Sequence, residues 1–329
     1  MAVLEVQPNP MRSIVVLDGE TLNPGDLDWA PLAALGSLTV YPRTTPEQVL
    51  ERAAQAEILL TNKVVLDRTL LQQLPQLRYV GVLATGVNVV DIDAAAERGI
   101  VVTNVPGYGP ESVAQMAFAH LLHHTSKLAQ HDAAVKAGQW CDSPNFCFWN
   151  APLSALAGKR FGVVGYGAIA QASARMARGF GMSVLVHTRT ERTDLPAGDR
   201  WVSLAQLFAE ADVVSLHCPQ SPANTEFVNA ALLATMKPTA ILLNTARGGL
   251  VQEADLAAAL RDGVIAGAGL DVLSSEPPKR DNPLLTAPNC SISPHNSWAT
   301  IEARQNLLNI AVANLQGFCR GECRNQVNG

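Results

Sequence analysis

Gly165-Tyr-Gly167-Ala168-Ile169-Ala170 stands between a short apolar run, 161–164, and a helical pattern that continues to Phe180. That is G-x-G-x-x-A in the order strand, tight turn, helix, the setting that gives the motif physical meaning. The first glycine permits the turn, and the second lets backbone N–H groups approach a pyrophosphate. Ala170, in place of a third glycine, still lets helix and strand pack closely. The helix start offers unpaired N–H groups and the positive end of its dipole to phosphates. Elsewhere such a hexapeptide is often a chance turn. Here the strand, the helix and a second strand at 183–188 all match, which predicts dinucleotide binding at Gly165, Gly167, Ala168 and Ile169.

The rest of the chain repeats this alternation of short β-rich runs and helical stretches, the pattern of parallel sheets with crossover helices. A first set of strands is predicted at 14–18, 38–41, 57–61, 79–83 and 100–103, with helices such as 46–54 and 91–98 between them. Asp91 is placed to cap the latter helix and Gly99 to stop it. The pattern breaks in the proline- and glycine-rich stretch 104–110, a good hinge, and one long helix is predicted from Glu111 to about Ala137 with Pro110 at its start. After an irregular stretch, 140–151, a second set of strands follows at 160–165, 183–188, 212–217, 240–245, 267–272 and 291–293. The helical remainder from about Thr300 has no place in that sheet and is expected to return to the first domain. At 329 residues two domains are the expectation: 1–104 plus 296–329, and 105–295 inserted within it, with closure about the two connections.

Composition excludes several classes. Apolar residues at 48% and charged residues at 16% argue against disorder, and a net charge of −5 gives no reason to expect nucleic-acid binding. Apolar runs such as 240–243 fall far short of the roughly 20 residues a membrane span needs. The N-terminus lacks the pattern of a signal peptide. Met11 is the expected natural start, with residues 1–10 a dispensable extension. Six cysteines, at 141, 147, 218, 290, 319 and 323, have no framework spacing, which predicts free thiols in a reducing cytoplasm. Cys319 and Cys323 have no second ligand pair. The histidines at 120, 123, 124 and 131 find no third ligand, so no metal is expected.

An acidic residue about 20 positions beyond the first glycine would bind the adenosine ribose of NAD. The strand 183–188 ends instead in Thr188-Arg189-Thr190-Glu191-Arg192. Threonine hydroxyls and arginines suit a 2′-phosphate, which points to NADP(H) ahead of NAD(H). The alternative is that Arg189 and Arg192 are ordinary solvated charges and Glu191 takes the ribose.

Three polar residues stand in apolar segments of the second set: Arg247 in LLNTARGGLV, Glu276 in LDVLSSEPP and His295 in SISPHNSWA. Strand ends downstream of a nucleotide loop converge on one crevice, and a cation, a carboxylate and an imidazole there suit hydride and proton chemistry on a small carboxylate. Singly, each is as well explained as a loop charge or a turn residue.

Together with 84–91, ATGVNVVD, and 104–115, NVPGYGPESVAQ, these segments make the chain resemble the D-isomer-specific 2-hydroxyacid dehydrogenases over essentially its whole length. The start, LDGETLNPGDLDW, and the segments around Phe146 and Trp298 are most similar to the glycerate dehydrogenase/hydroxypyruvate reductase branch. The resemblance implies an α/β fold of two doubly wound parallel sheets, a flavodoxin-like substrate domain and an inserted Rossmann domain. It implies reduction of a small 2-keto acid, hydroxypyruvate or glyoxylate foremost, to the D-hydroxy acid. Arg247 would clamp the substrate carboxylate and polarise the keto oxygen. His295 would donate the proton, and Glu276 would orient the ring and favour its protonated form near neutrality.

It further implies that Ala84, Thr85 and Gly86 bind the substrate carboxylate through backbone, and that Trp298 lines the substrate pocket or packs between domains. His217, Cys218, Pro219, Thr225, Thr245 and Ala246 would lie along the cofactor, with Asp271 on its nicotinamide side. A homodimer through the cofactor domain is implied as well, with the histidine-bearing helix packed against another subunit. The chain departs from the family pattern at two places: Asn296 follows the histidine where the branch more often has an apolar residue, and Thr188-Arg189 replaces an acidic strand end. A dinucleotide-regulated corepressor is the non-enzymatic rival, and the chain lacks the disordered tails expected of one. A phosphoglycerate dehydrogenase with a regulatory domain would need more chain, and a formate dehydrogenase would pair its histidine with glutamine.

Overall fold

The computed structural model describes residues 12–329, so Met11 and the residues before it lie outside the described part. The chain divides into two compact units, one running through Gly109 and taking up Ala299–Gly329, the other Pro110–Trp298. In the first, β1 (Ser13–Val16), α1 (Ala30–Ala33), β2 (Ser37–Val40), α2 (Pro46–Ala53), β3 (Ile58–Thr61), α3 (Arg68–Gln72), β4 (Tyr79–Val82), α4 (Ile92–Glu97) and β5 (Val101–Thr103) alternate. The five strands are parallel in the order β2-β1-β3-β4-β5, the flavodoxin-like order. Asp91 caps α4 by accepting from Ala94 N–H at 2.8 Å. Gly99 stops it at φ +67°.

The second unit holds α5 (Pro110–Ser126), α6 (Leu128–Lys136), β6 (Arg160–Val164), α7 (Ala168–Gly179), β7 (Ser183–His187), β8 (Arg200–Trp201), α8 (Leu204–Glu210), β9 (Val213–Leu216), α9 (Ala230–Leu233), β10 (Ile241–Asn244), α10 (Glu253–Arg261), β11 (Gly267–Leu270) and β12 (Cys290–Ile292). Its seven parallel strands run β12-β11-β10-β9-β6-β7-β8, a Rossmann sheet whose order reverses between β6 and β9. Successive residues of one strand serve opposite faces. Phe161 and Val163 join Phe118 and Ala170 on one side, while Val164 joins Leu207, Leu216 and Leu242 on the other. The last helix, α11 (Ile301–Cys319), belongs to the first unit, where Arg304 pairs with Asp26 and donates to the Leu22 carbonyl.

Two features differ from expectation. The long helix of 111–137 is two helices, because Lys127 takes a left-handed conformation (φ +50°) and Ser154 N–H takes the Thr125 carbonyl at the break. The two-residue edge strand β8 was not predicted, and a pair so short carries no periodicity. The histidine-bearing helix α5 uses its His120/His124 face within its own unit. It packs on β11 and β12 of its own sheet, with His120 Nδ1 2.7 Å from Ser291 Oγ and His124 Nε2 2.8 Å from the Ala268 carbonyl. Among the described residues no helix is long and apolar enough to cross a membrane.

Candidate active site

β10, β11 and β12 are neighbours whose last residues align, Asn244 with Leu270 and Leu270 with Ile292. The loops leaving them carry Arg247, Glu276 and His295, so all three lie along one edge of the second unit's sheet, on strands about 4.8 Å apart. Arg247 stands at the first of these turns. The buried Asn244 side chain holds that turn twice: its Nδ2 donates to the Arg247 carbonyl at 2.9 Å, and its Oδ1 accepts Ala246 N–H at 3.0 Å. Arg247 Nη1 donates to the Ala246 carbonyl at 2.7 Å, and the exposed guanidinium keeps its other N–H groups without a partner among the described residues. Gly248 explains how the next loop comes close: a Cβ there would stand 1.9 Å from the Leu273 carbonyl carbon.

Glu276 Oε1 accepts Leu273 N–H at 3.1 Å, which turns the carboxylate back on its own loop. Its Oε2 accepts from His295 Nδ1 at 2.6 Å. That bond fixes the tautomer and leaves His295 Nε2 as the atom able to pass a proton outward. His295 sits at φ +50° in a loop tied to Asp271: its N–H donates to the Asp271 carbonyl at 2.8 Å, and Trp298 Nε1 donates to the His295 carbonyl at 2.9 Å. The Asp271 carboxylate is buried and accepts Ser293 Oγ, Asn296 N–H and Ser297 N–H. It therefore holds the histidine's loop, a role beyond the nicotinamide contact expected of it.

Sequence reasoning missed Asn244. It also missed Glu253, which braces the Glu276 loop by accepting Ser274 N–H at 2.7 Å and Asn282 Nδ2 at 2.8 Å. Glu253 acts on groups 21 and 29 residues away, which no spacing rule reveals, and Asn244 acts on its own turn, two and three residues on.

The glycine loop lies at the reversal between β6 and β9. Gly165 has φ +90°, and a Cβ there would lie 2.9 Å from both the His217 carbonyl and Cys218 N, so only glycine lets the two strand ends meet. Gly167 caps α7 and has nothing within 4 Å of a Cβ position, which leaves open space before that helix's N-terminus. Ala168 is exposed, Ile169 half-buried, and Ala170 buried between helix and sheet. Thr245 Oγ1, at the end of β10, is buried with no hydrogen-bond partner among the described residues. An open phosphate-sized approach and an orphaned buried hydroxyl both fit a bound dinucleotide.

His217 Nε2 lies 2.9 Å from Ser215 Oγ, and burial pushes its pKa down to about 4, so the ring is neutral. Burial pushes the Cys218 thiol up. The Pro219 carbonyl accepts Asn224 Nδ2, and the exposed Thr225 donates to the Ser221 carbonyl, within its own loop. Half-buried Ala246 follows Thr245 in the Arg247 turn. Beyond β7, Thr188, Arg189, Thr190 and Arg192 line an open pocket. Thr188 Oγ1 donates to the Thr190 carbonyl at 2.6 Å. Arg192 is paired with Asp194 and sits 5.6 Å from the centre of the Tyr166 ring, whereas Arg189 has no such partner among the described residues.

Ala84, Thr85 and Gly86 belong to the first unit, beyond β4. Thr85 Oγ1 donates to the Val105 carbonyl at 2.9 Å, and Asn104 Nδ2 donates to the Thr85 carbonyl at 2.8 Å.

Residues 118–297 match the family model described as D-isomer specific 2-hydroxyacid dehydrogenase, NAD binding domain. The chain is 47% identical to a hydroxypyruvate reductase of Blautia hydrogenotrophica over 96% of its own length and 99% of the relative's. It is 39% identical to a glycerate dehydrogenase of Methylorubrum extorquens, over 86% of this chain and 89% of that one. Among solved structures, it superimposes with a TM-score of 0.79 on the NADPH-dependent glyoxylate/hydroxypyruvate reductase of Sinorhizobium meliloti in complex with NADP and malonate. That pair is 31% identical, covering 96% of this chain and 97% of that one.

Proposed function

Because the chain belongs to the D-isomer specific 2-hydroxyacid dehydrogenase family, we propose that it reduces hydroxypyruvate or glyoxylate to the D-2-hydroxy acid, with NADP(H) preferred over NAD(H). The observation that carries the reading is the His295–Glu276 pair at 2.6 Å, on the strand-end loops beside the one that carries Arg247. The guanidinium takes the substrate carboxylate as a two-pronged fork and draws density from the keto oxygen. His295 Nε2–H gives its proton to that oxygen as the C–O double bond becomes a single bond, and Glu276 stabilises the charged ring before the transfer. When bound, the reduced nicotinamide supplies the hydride to C2. Gly165, Gly167 and the start of α7 would hold the pyrophosphate, and Thr245 Oγ1 would find its missing partner there.

The cofactor preference rests on a strand end without a carboxylate and on Arg189. Arg192 is already committed to Asp194, so Arg189, Thr188 and Thr190 remain for a 2′-phosphate. Initial rates of NADPH and NADH oxidation with hydroxypyruvate, glyoxylate, pyruvate and a branched keto acid test both parts. We expect the first two substrates to lead and NADPH to be favoured. No oxidation with any of the acids would sink the activity. A preference for NADH of about tenfold or more, roughly 1.4 kcal/mol, would sink the 2′-phosphate reading.

A second copy of the chain is the proposed partner of the segment around α6. Leu128, Trp140, Phe146, Trp149 and Leu153 are all exposed there, Phe146 by 90%. So much aromatic surface in one stretch is unusual for a monomer. The double variant Phe146→Asp/Trp149→Asp is expected to sediment as a monomer where the parent sediments as a dimer. A monomeric parent would refute the assignment. Six unpaired cysteines accord with work in a reducing cytoplasm.

A further inference from the structure

α5 is fastened to the loop that carries His295, and the chemistry above makes no use of the fastening. The helix and β11 approach so closely that the strand needs glycine: a Cβ at Gly269 would lie 2.5 Å from His120 Cβ, and one at Gly267 would lie 3.0 Å from His124 Nδ1. The repeat distances agree. Four helical residues rise about 6.0 Å and two strand residues about 6.6 Å, so residues 120 and 124 meet 269 and 267 in turn. Both rings then reach β12 or its end. His120 Nδ1 and Nε2 lie 2.7 Å and 2.9 Å from Ser291 Oγ and Ser293 Oγ, and His124 Nε2 lies 3.0 Å from Ser291 Oγ.

The donors follow by elimination. Ser293 Oγ donates to Asp271 Oδ1 at 2.6 Å, because an ionised carboxylate only accepts. Ser293 Oγ therefore accepts His120 Nε2–H. His120 Nδ1 is then the acceptor, filled by Ser291 Oγ–H, and Ser291 accepts the His124 Nε2–H that is shared with the Ala268 carbonyl. The hydrogens all run in one sense along the relay, from His124 through Ser291, His120 and Ser293 to Asp271, and bonds aligned in this way polarise one another. The chain requires neutral rings. Burial pushes His124 down to about 4 and His120 downward, against the opposing pull of the Asp271 carboxylate.

At its far end Asp271 grips the loop of His295. Ser297 N–H donates to both carboxylate oxygens, at 3.2 Å and 3.1 Å, and Ser112 of α5 donates to the Ser297 carbonyl at 2.5 Å. A non-glycine residue at φ +50°, as His295 is, persists only where its surroundings over-determine it.

We propose that His120 is a positioning residue: through Ser293 and Asp271 it locks the 293–298 loop in the conformation that presents His295. Its catalytic consequence rests on the proposed role of His295; its consequence for the loop does not. The test is amide hydrogen exchange in the full chain, with α7 as internal control. His120→Leu fills similar space without a donor, Ser293→Ala removes only the relaying hydroxyl, and His120→Gln keeps a donor near the position of Nε2. The first two are expected to speed exchange at Ser297 by about tenfold or more and to combine without adding, as members of one network do. His120→Gln stays near the parent. In the reductase assay the first two lower kcat by about tenfold, with the KM for keto acid within about threefold.

Loop exchange within about twofold of the parent in both variants overturns the proposal, as does equal acceleration in α7, which marks a global loss of stability. A His120→Gln variant as fast as His120→Leu overturns it too. A parent that reduces no keto acid would sink the functional reading alone and leave the exchange result to decide this one.

Discussion

Replacing His295 by asparagine is expected to lower kcat for keto-acid reduction by about 10²- to 10⁴-fold, the contribution of a well-placed general acid, while dinucleotide binding persists. Asparagine is chosen for two physical reasons. It tolerates the left-handed backbone at φ +50° better than any other residue with a side chain, so the loop keeps its course. Its amide nitrogen also stands near the place of Nδ1 and can still donate to Glu276 Oε2. What disappears is Nε2, the ring nitrogen that Glu276 does not hold. The substitution therefore removes the proposed proton donor and little else. Single-turnover rates give the chemical step, and quenching of protein fluorescence by the dinucleotide gives binding. A variant within about fivefold of the parent in kcat, about 1 kcal/mol, would show that the proton comes from elsewhere.

Much of the fold is legible in the sequence because parallel strands buried on both faces read as continuous apolar runs, such as 241–243 and 184–186. The strand-turn-helix at Gly165 is legible because glycine is the residue that permits φ +90° beside His217 and Cys218. Arg247, Glu276 and His295 stand out because each interrupts an apolar segment, and the sheet register then brings their loops side by side.

The rest depends on residues far apart in the chain. His120 reads as a helical histidine until β12 and the residue after it, some 170 residues on, supply Ser291 and Ser293. Glu253 reaches Ser274 and Asn282, 21 and 29 residues on; Asn244, by contrast, acts within its own turn. The break at Lys127 falls inside an unbroken helical pattern, because the carbonyl taken by Ser154 lies in a segment with no periodicity to announce it.

Arg247→Ala is expected to lower kcat/KM by about 100-fold or more, the loss of a charge-assisted fork worth roughly 3 kcal/mol. The structure presents this side chain ready for that task. Asn244 clamps the backbone on both sides of the turn, Gly248 lies flat against the Leu273 carbonyl, and Nη1 is already fixed to Ala246. One edge of the guanidinium is anchored and the other left open, so little freedom remains to be lost when a carboxylate arrives. The split between kcat and KM tells what the fork does. A pure carboxylate clamp binds ground and transition states alike and would raise KM alone; a group that also polarises the keto oxygen gains strength as charge builds there, and its loss lowers kcat as well. Both changes are expected. Arg247→Lys restores the charge but not the planar fork, and should recover only part of the loss. If lysine restores full activity, a point charge suffices and the two-pronged geometry is irrelevant. If alanine stays within about fivefold of the parent, about 1 kcal/mol, Arg247 does not hold the substrate.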